Sequence, residues 1–372
     1  MITSYIRSRQ RVWPAAGLLV GLILIGFDAW IAWTTFIPNY QVRNDFRLVY
    51  AAALVGLRSG YNHLYDLADQ EAAIHSLGSG FNPQPYITPP PLAWLVTPLT
   101  LLPFDIALAI WTALLLASLV VAWRLLAPGS GLARAAQLVL LLGLFPVAFG
   151  IMVGQPGAFV AVAVAASWWF IRNNHPVWAG LALSFLVLKP QLAVLVPLCL
   201  LLSGHAKTFG AWFAASAFVA LMALAMLGPE GLSRYRDVLA MTQSPAWDIT
   251  RKYAISGLFG LGPLLTVVQV AGLALTLLIS WRNRATGPEV PMAAGIVGSL
   301  LVTPYLGFQD FLMLVPAGWL ILRSGPTPWQ VGLLVVGYVL LEFCIPIGPV
   351  PILVMEGLLL ESMWRPSSRS SR

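Results

Sequence analysis

Charge is what this chain has least of. Only 9% of its 372 residues are Asp, Glu, Lys or Arg, against about 25% in soluble domains, too few to clothe a water-facing surface. Cysteine is almost missing: Cys199 and Cys344 are the two present. Both sit inside apolar runs, which reads as small buried hydrophobes and argues against a disulfide framework or thiolate metal centre. The histidines, His63, His75, His175 and His205, lack the paired spacing of a metal site, so no metal and no cofactor are expected. No P-loop and no GxGxxG fingerprint is present, which speaks against nucleotide handling. There is also no fixed-period repeat, low-complexity tract or separate soluble domain.

What is there is apolar. Hydrophobic residues make up 59% of the chain and the mean hydropathy is +0.81, with long greasy runs recurring from end to end. That pattern describes an all-α polytopic membrane protein, one integral membrane domain over residues 1–372. The first run, from about Pro14 to Ile37, is roughly 24 residues long, beyond a signal-peptide core, and no small-residue cleavage site follows it. It reads as an uncleaved anchor behind Arg7, Arg9 and Arg11. Further spans are expected near 105–126, 133–150, 156–171, 176–188, 191–203, 210–227, 255–281, 290–305, 310–322, 329–345 and 351–362, about twelve crossings with the anchor. Several are only about 13 residues, short of the usual 20 or so, as in half-helices that dip toward a cavity.

Basic residues orient the bundle. With the N-terminus in the cytoplasm, that side holds Arg7, Arg9, Arg11, Arg124, Arg134, Arg172, Lys207, Arg282, Arg284, Arg323, Arg365, Arg369 and Arg372, with Glu289 as its one clear loop acid. The far side holds Arg43, Arg47, Arg58, Lys189, Arg234, Arg236, Arg251 and Lys252. Both termini are then cytoplasmic, in the cytoplasmic membrane of the cell. The proline-rich stretch "ITPPPLAWLVTPLTLLP" (87–103) would put Arg124 and Arg134 on the wrong side if it crossed, so it is expected as a non-crossing helix. This makes 38–104 one long first outer loop with juxtamembrane helices, and 228–254 a second outer loop. The net charge of +7 follows from this topology and implies no nucleic-acid partner; membrane lipids are the surroundings.

Polar interruptions gather on the far side: "VGQPGA" (153–158), "LKPQL" (188–192) and "TPYLGFQD" (303–310). Asp45, between Arg43 and Arg47, precedes a helical pattern in which Phe46, Tyr50, Ala53 and Leu57 recur on one face. As a plain N-cap it would satisfy orphan N–H groups; at the mouth of a lipid-lined cavity it would be a general base for an attacking hydroxyl. Lys189, ending a helix before Pro190, is either a lysine snorkelling to headgroups or a ligand for phosphate. Arg234 and Arg236, with Arg251 and Lys252, are solvated cations or further phosphate ligands. Gln155 and Asp310 are caps or site residues. Asp28, Glu342, Glu356 and Glu361 lie in or near spans, where an acid such as Asp28 is functional or internally paired. Tyr50, Tyr86, Trp94 and Trp247 are belt residues or platforms for sugar faces.

The ordered series "DFRLVYAAALVGLRSGYNHLYD", "YITPPPLAWLVTPLTLLP", "VGQPGAFVAVAVAA", "AGLALSFLVLKPQLAVLVPLCLL" and "TPYLGFQDFLML" resembles glycosyltransferase family 87 over about 40–325. This is the family of polyprenol-phosphate-mannose-type transferases of the GT-C superfamily. The resemblance implies a GT-C-like bundle and an inverting mannosyltransferase-type enzyme of cell envelope biosynthesis. Its donor is a sugar on a polyprenyl monophosphate, and its acceptor a lipid or glycan hydroxyl at the extracytoplasmic face. It makes Asp45 the catalytic carboxylate and assigns Lys189, Gln155 and Asp310 to the substrate site; Arg43, Arg47, Arg251 and Lys252 are the expected phosphate contacts. Many members carry a histidine near the last motif, whereas this chain has none in 303–310, which leaves the donor sugar and a second catalytic group open. A polytopic transporter or lipid flippase is the alternative, though no inverted or parallel repeat is visible.

Overall fold

The computed structural model describes residues 2–78, 80–244, 247 and 251–364, with side chains from Val12 onward. The side chains of Arg7, Arg9 and Arg11, and the tail bearing Arg365, Arg369 and Arg372, lie outside the described residues. Within them the fold is all helix, with no strand. Four helical stretches are long and apolar enough to cross a bilayer: Val12–Arg58, Phe104–Leu126, Ala206–Met241 and Pro263–Arg282. A fifth candidate is the pair Gly131–Leu142 and Phe145–Met152, bent by 55° at a short break. The 23 residues of Phe104–Leu126 rise ~34 Å, enough for the ~30 Å hydrocarbon layer. The protein is therefore a membrane protein.

Each expected span coincides with helix, but most of these helices are short. Gly157–Arg172, Pro176–Leu188, Glu289–Val302 and Pro328–Glu342 are apolar and below full-span length. Proline and glycine set the breaks: Pro146, Pro176 and Pro328 stand in the first turns of their helices, where the missing N–H costs nothing. The helix Glu289–Val302 is buried without interruption from Glu289 to Leu301. It packs on Leu195–Leu202, Pro263–Arg282 and Leu314–Ser324, at the centre of the core. Glu289, expected in a loop, instead starts this helix. There it accepts hydrogen bonds from Trp168 Nε1 at 2.9 Å and Arg172 Nε at 2.6 Å, so a buried acid is both paired and hydrogen-bonded.

The 38–104 segment carries the helices Phe46–Arg58, Leu67–His75 and Pro90–Val96. Pro90–Val96 has seven residues, ~10 Å of rise, too short to cross. It and Leu67–His75 cover Phe46–Arg58, which is why that helix is buried on nearly every face. Phe46, Tyr50 and Ala53 point into the core as the periodicity predicts, while Leu57 is exposed. The expected loop 228–254 begins as helix. Gly228, at φ 61°, interrupts Ala206–Met241, and Pro229 then opens a redirected stretch that runs on to Met241.

The acids expected in or near spans differ in their fates. Glu342 accepts the Phe145 N–H at 3.0 Å, satisfying a donor freed at the break between Gly131–Leu142 and Phe145–Met152. Asp28 and Glu356 are buried, and among the described residues neither carboxylate has a hydrogen-bond partner.

Candidate active site

The site is assembled from four places where helices break. The turn Asn44–Asp45–Phe46 docks on the end of Phe145–Met152 through two bonds, and Trp111 of the helix Phe104–Leu126 adds a third to the same end. The Asp45 N–H donates to Val153 O at 2.7 Å, Asn44 Nδ2 to Met152 O at 3.0 Å, and Trp111 Nε1 to Gly154 O at 2.8 Å. Gly154 sits at φ 74°, and a Cβ there would stand 2.8 Å from the Phe46 Cβ. The close approach therefore requires glycine on two counts. Gly154→Ala is expected to destabilise the fold by ~1–3 kcal/mol, read as a lowered Tm in detergent; an unchanged Tm would mean the two turns are not in contact.

Asp45 does not cap its helix. Its side chain makes no capping bond; Asn44 Oδ1 instead accepts from the Phe46 N–H at 2.9 Å. Relieved of that duty, the Asp45 carboxylate faces a cavity with 38% of its side chain exposed. Gln155 Nε2 donates to its Oδ2 at 2.6 Å. Gln155 Oε1 in turn accepts from Lys189 Nζ at 2.8 Å, and Lys189 closes an ion pair with Asp310 Oδ1. Lys189 and Asp310 are only 8% and 3% exposed. Pro190 explains the lysine's position: a residue before proline is driven out of the helical region. Lys189 adopts φ −156°, ψ 74° between the short turns Ser184–Leu188 and Pro190–Leu192. Asp310 belongs to the 3-10 turn Phe308–Met313 and also accepts from the Gly307 N–H at 3.2 Å. Phe308 anchors that turn by packing on Phe145 and Phe149, with ring centroids 5.7 and 4.3 Å away.

The cavity above this chain has a volume of about 360 Å³, within the ~300–1,000 Å³ typical of small-molecule sites. Besides Asp45, Gln155, Lys189 and Asp310, its walls carry Gln84, Tyr86, Gln191, Trp247, Tyr253 and Gln309. Tyr86 is buried and its hydroxyl donates to Pro89 O at 2.8 Å; burial pushes that hydroxyl well above the usual tyrosine range, so it stays neutral. Neutral amides and aromatic faces are the groups that hold sugar hydroxyls and ring faces without adding charge.

The expected cations are divided. Lys189 lines the cavity; Arg43, Arg47, Arg251 and Lys252 are not among its lining residues. Arg47 is fully buried and acts as a strut, donating to Asn44 O, to Asn82 O at 3.2 Å and to Gln84 Oε1 at 3.2 Å. Its Nη1 stays 3.9 Å from Asp45 Oδ1. Arg43 lies over the Phe36 ring. Arg251 donates to Thr242 O at 2.8 Å and Ser244 O at 3.2 Å. Lys252 is exposed over the ring of Tyr253, a cavity wall. Arg234 binds Asn62 O at 3.0 Å and Glu230 at 2.8 Å, with Asp66 at 3.4 Å. Of the aromatic candidates, Tyr86 and Trp247 line the cavity, whereas Tyr50 is buried and donates to Leu102 O at 2.6 Å. Sequence reading missed Gln84, Gln191 and Gln309, neutral residues whose only signal is adjacency to Pro83, Pro85, Pro190 and Asp310.

Histidine spacing gave no sign of one further group. His63, Asp66 and Asp69 bring ligand atoms within 4.8 Å of one another. Asp66 there already caps its helix through the Ala68 and Asp69 N–H groups and pairs with Arg234, so its oxygens are occupied.

A hydrogen-bonded chain of acid, amide, cation and acid, half-buried at Asp45 and Gln155 and buried at Lys189 and Asp310, thus lines one wall of a cavity in an apolar helical bundle. The chain belongs to glycosyltransferase family 87: the family model matches residues 86–304, more than half the sequence. It is a membrane glycosyltransferase. No curated protein and no solved structure matches it. Gln155, Lys189, Arg251 and Lys252 fall inside the matched segment; Arg43, Asp45, Arg47 and Asp310 fall outside it.

Proposed function

We propose that this enzyme transfers a hexose, mannose or a close relative, from a polyprenyl monophosphate to a hydroxyl of a lipid- or envelope-linked acceptor, with inversion at the anomeric carbon. The observation that carries the reading is the Asp45–Gln155–Lys189–Asp310 chain at the wall of the cavity. Asp45 accepts the acceptor's hydroxyl proton as the oxygen attacks the anomeric carbon. The bond to the phosphate oxygen breaks on the opposite side, and polyprenyl phosphate leaves with the electron pair. Charge growing on that phosphate is stabilised by Lys189, which has three N–H donors and uses two in the bonds above. Arg251 and Lys252, flanking the cavity wall at Tyr253, raise the potential at the rim. A phosphate is already a good leaving group, so positioning supplies most of the acceleration.

In this reading the prenyl chain lies among the apolar helices. The helices make about twelve crossings of the cytoplasmic membrane, with both termini cytoplasmic and the 38–104 and 228–254 loops outside. The chemistry requires no metal ion. Membranes containing the protein, offered radiolabelled polyprenyl-phosphate sugars and nucleotide sugars side by side, test the donor class. Consumption of the prenyl-linked donor with label appearing on an acceptor is expected. Label taken only from nucleotide sugars would overturn it.

A further inference from the structure

We infer that Gln155 is a positioning residue, which fixes the Asp45 carboxylate with one oxygen engaged and the other free for substrate, and is not itself a ligand of the sugar or phosphate. The inference rests on the reading of Asp45 as the base, and it deepens that reading. A lysine ammonium is a donor with no acceptor capacity, so whatever Lys189 meets on Gln155 must be the amide oxygen. The bond at 2.8 Å thereby settles which end of the amide is which. The NH₂ group then points at Asp45, where it meets Oδ2 at 2.6 Å.

The orientation does not come from Gln155 alone. Lys189 is held in turn by the buried Asp310, whose other carboxylate oxygen accepts from the Gly307 N–H. Four side chains from four separated segments thus enforce one hydrogen-bond direction, ending at Oδ2. On the other side Arg47 Nη1 is 3.9 Å from Oδ1, beyond hydrogen-bond reach. Arg47 directs its hydrogen bonds to Asn44, Asn82 and Gln84 instead. Oδ1 is therefore the oxygen left to accept the substrate proton. Desolvation lifts the Asp45 carboxyl above the usual carboxylate range, and Gln155, by donating to its charged form, opposes that rise. The charged groups that face Asp45 are Arg47, Lys189 and Asp310, and all three remain when Gln155 is changed.

The test follows Asp45 itself as well as turnover. Infrared difference spectra of wild type minus Asp45→Asn isolate the titration of this one carboxyl, in Gln155→Leu and Gln155→Glu backgrounds as well as the native one. Both substitutions nearly conserve volume, and monodisperse gel filtration confirms folding. Gln155→Leu should raise the titration midpoint by roughly one pH unit, and Gln155→Glu should raise it further, since it sets a carboxylate beside Asp45. In transfer assays kcat should fall ~10- to 100-fold in Gln155→Leu while the donor KM stays within about two-fold. An unmoved midpoint in both variants, or a loss confined to KM, would overturn the positioning role. If wild type transfers no sugar, the proposed function fails, yet the titration still reports whether Gln155 sets the state of Asp45.

Discussion

Asp45→Asn is expected to lower kcat by ~10³-fold, the middle of the range for losing a general base, while leaving Tm nearly unchanged. The reason for the small structural effect is local. The helix Phe46–Arg58 is not capped by the Asp45 side chain, and the turn is held by backbone and Asn44 bonds that the substitution keeps. Asparagine also retains an acceptor oxygen for the Gln155 amide. What it loses is the capacity to take a proton. Donor KM should move little, because Asp45 faces the attacking hydroxyl in the proposed geometry. A large fall in Tm would instead assign Asp45 a structural role.

The second large effect is expected at the ion pair. Lys189→Met leaves Asp310 buried with its charge uncompensated, a change that costs ~3–5 kcal/mol for pairs of this kind. The double variant Lys189→Met/Asp310→Leu removes both charges together, and replacing a whole buried pair by apolar side chains is close to neutral. Stability should therefore return in the double variant, measured as Tm in detergent, while sugar transfer stays at least ~100-fold below wild type. Recovery of stability and activity together would show that the pair serves folding alone.

Much of the site was legible in the sequence because charge is so scarce. In a chain with 9% charged residues, "VGQPGA", "LKPQL" and "GFQD" stand out as polar breaks between apolar runs, and three such breaks converge on one cavity wall. Lys189-Pro190 was readable for a specific reason: proline forbids the preceding residue its helical conformation, and the lysine is thrown out of the helix. What stayed hidden depends on tertiary contact. Nothing local distinguishes Asn44 from Asp45 as the group that bonds the Phe46 N–H; that is decided by docking against Val153 and Gly154. Arg47, two residues from Asp45, looked like a phosphate ligand and is a buried strut, because the 82–84 segment offers it oxygens. The helices were readable in position but not in length, since proline and glycine cut apolar runs into helices shorter than the runs themselves, and four or five of them are long enough to be span candidates.

Chemical rescue is the most direct test that Asp45 acts as the base. Asp45→Ala truncates the carboxyl at the wall of a cavity of about 360 Å³, leaving space for a formate ion. Purified Asp45→Ala in lipid vesicles, given the prenyl-linked donor and acceptor, should be inactive, and added formate should restore part of the transfer with the same anomeric configuration in the product. Turnover at the wild-type rate without formate would contradict the role assigned to Asp45.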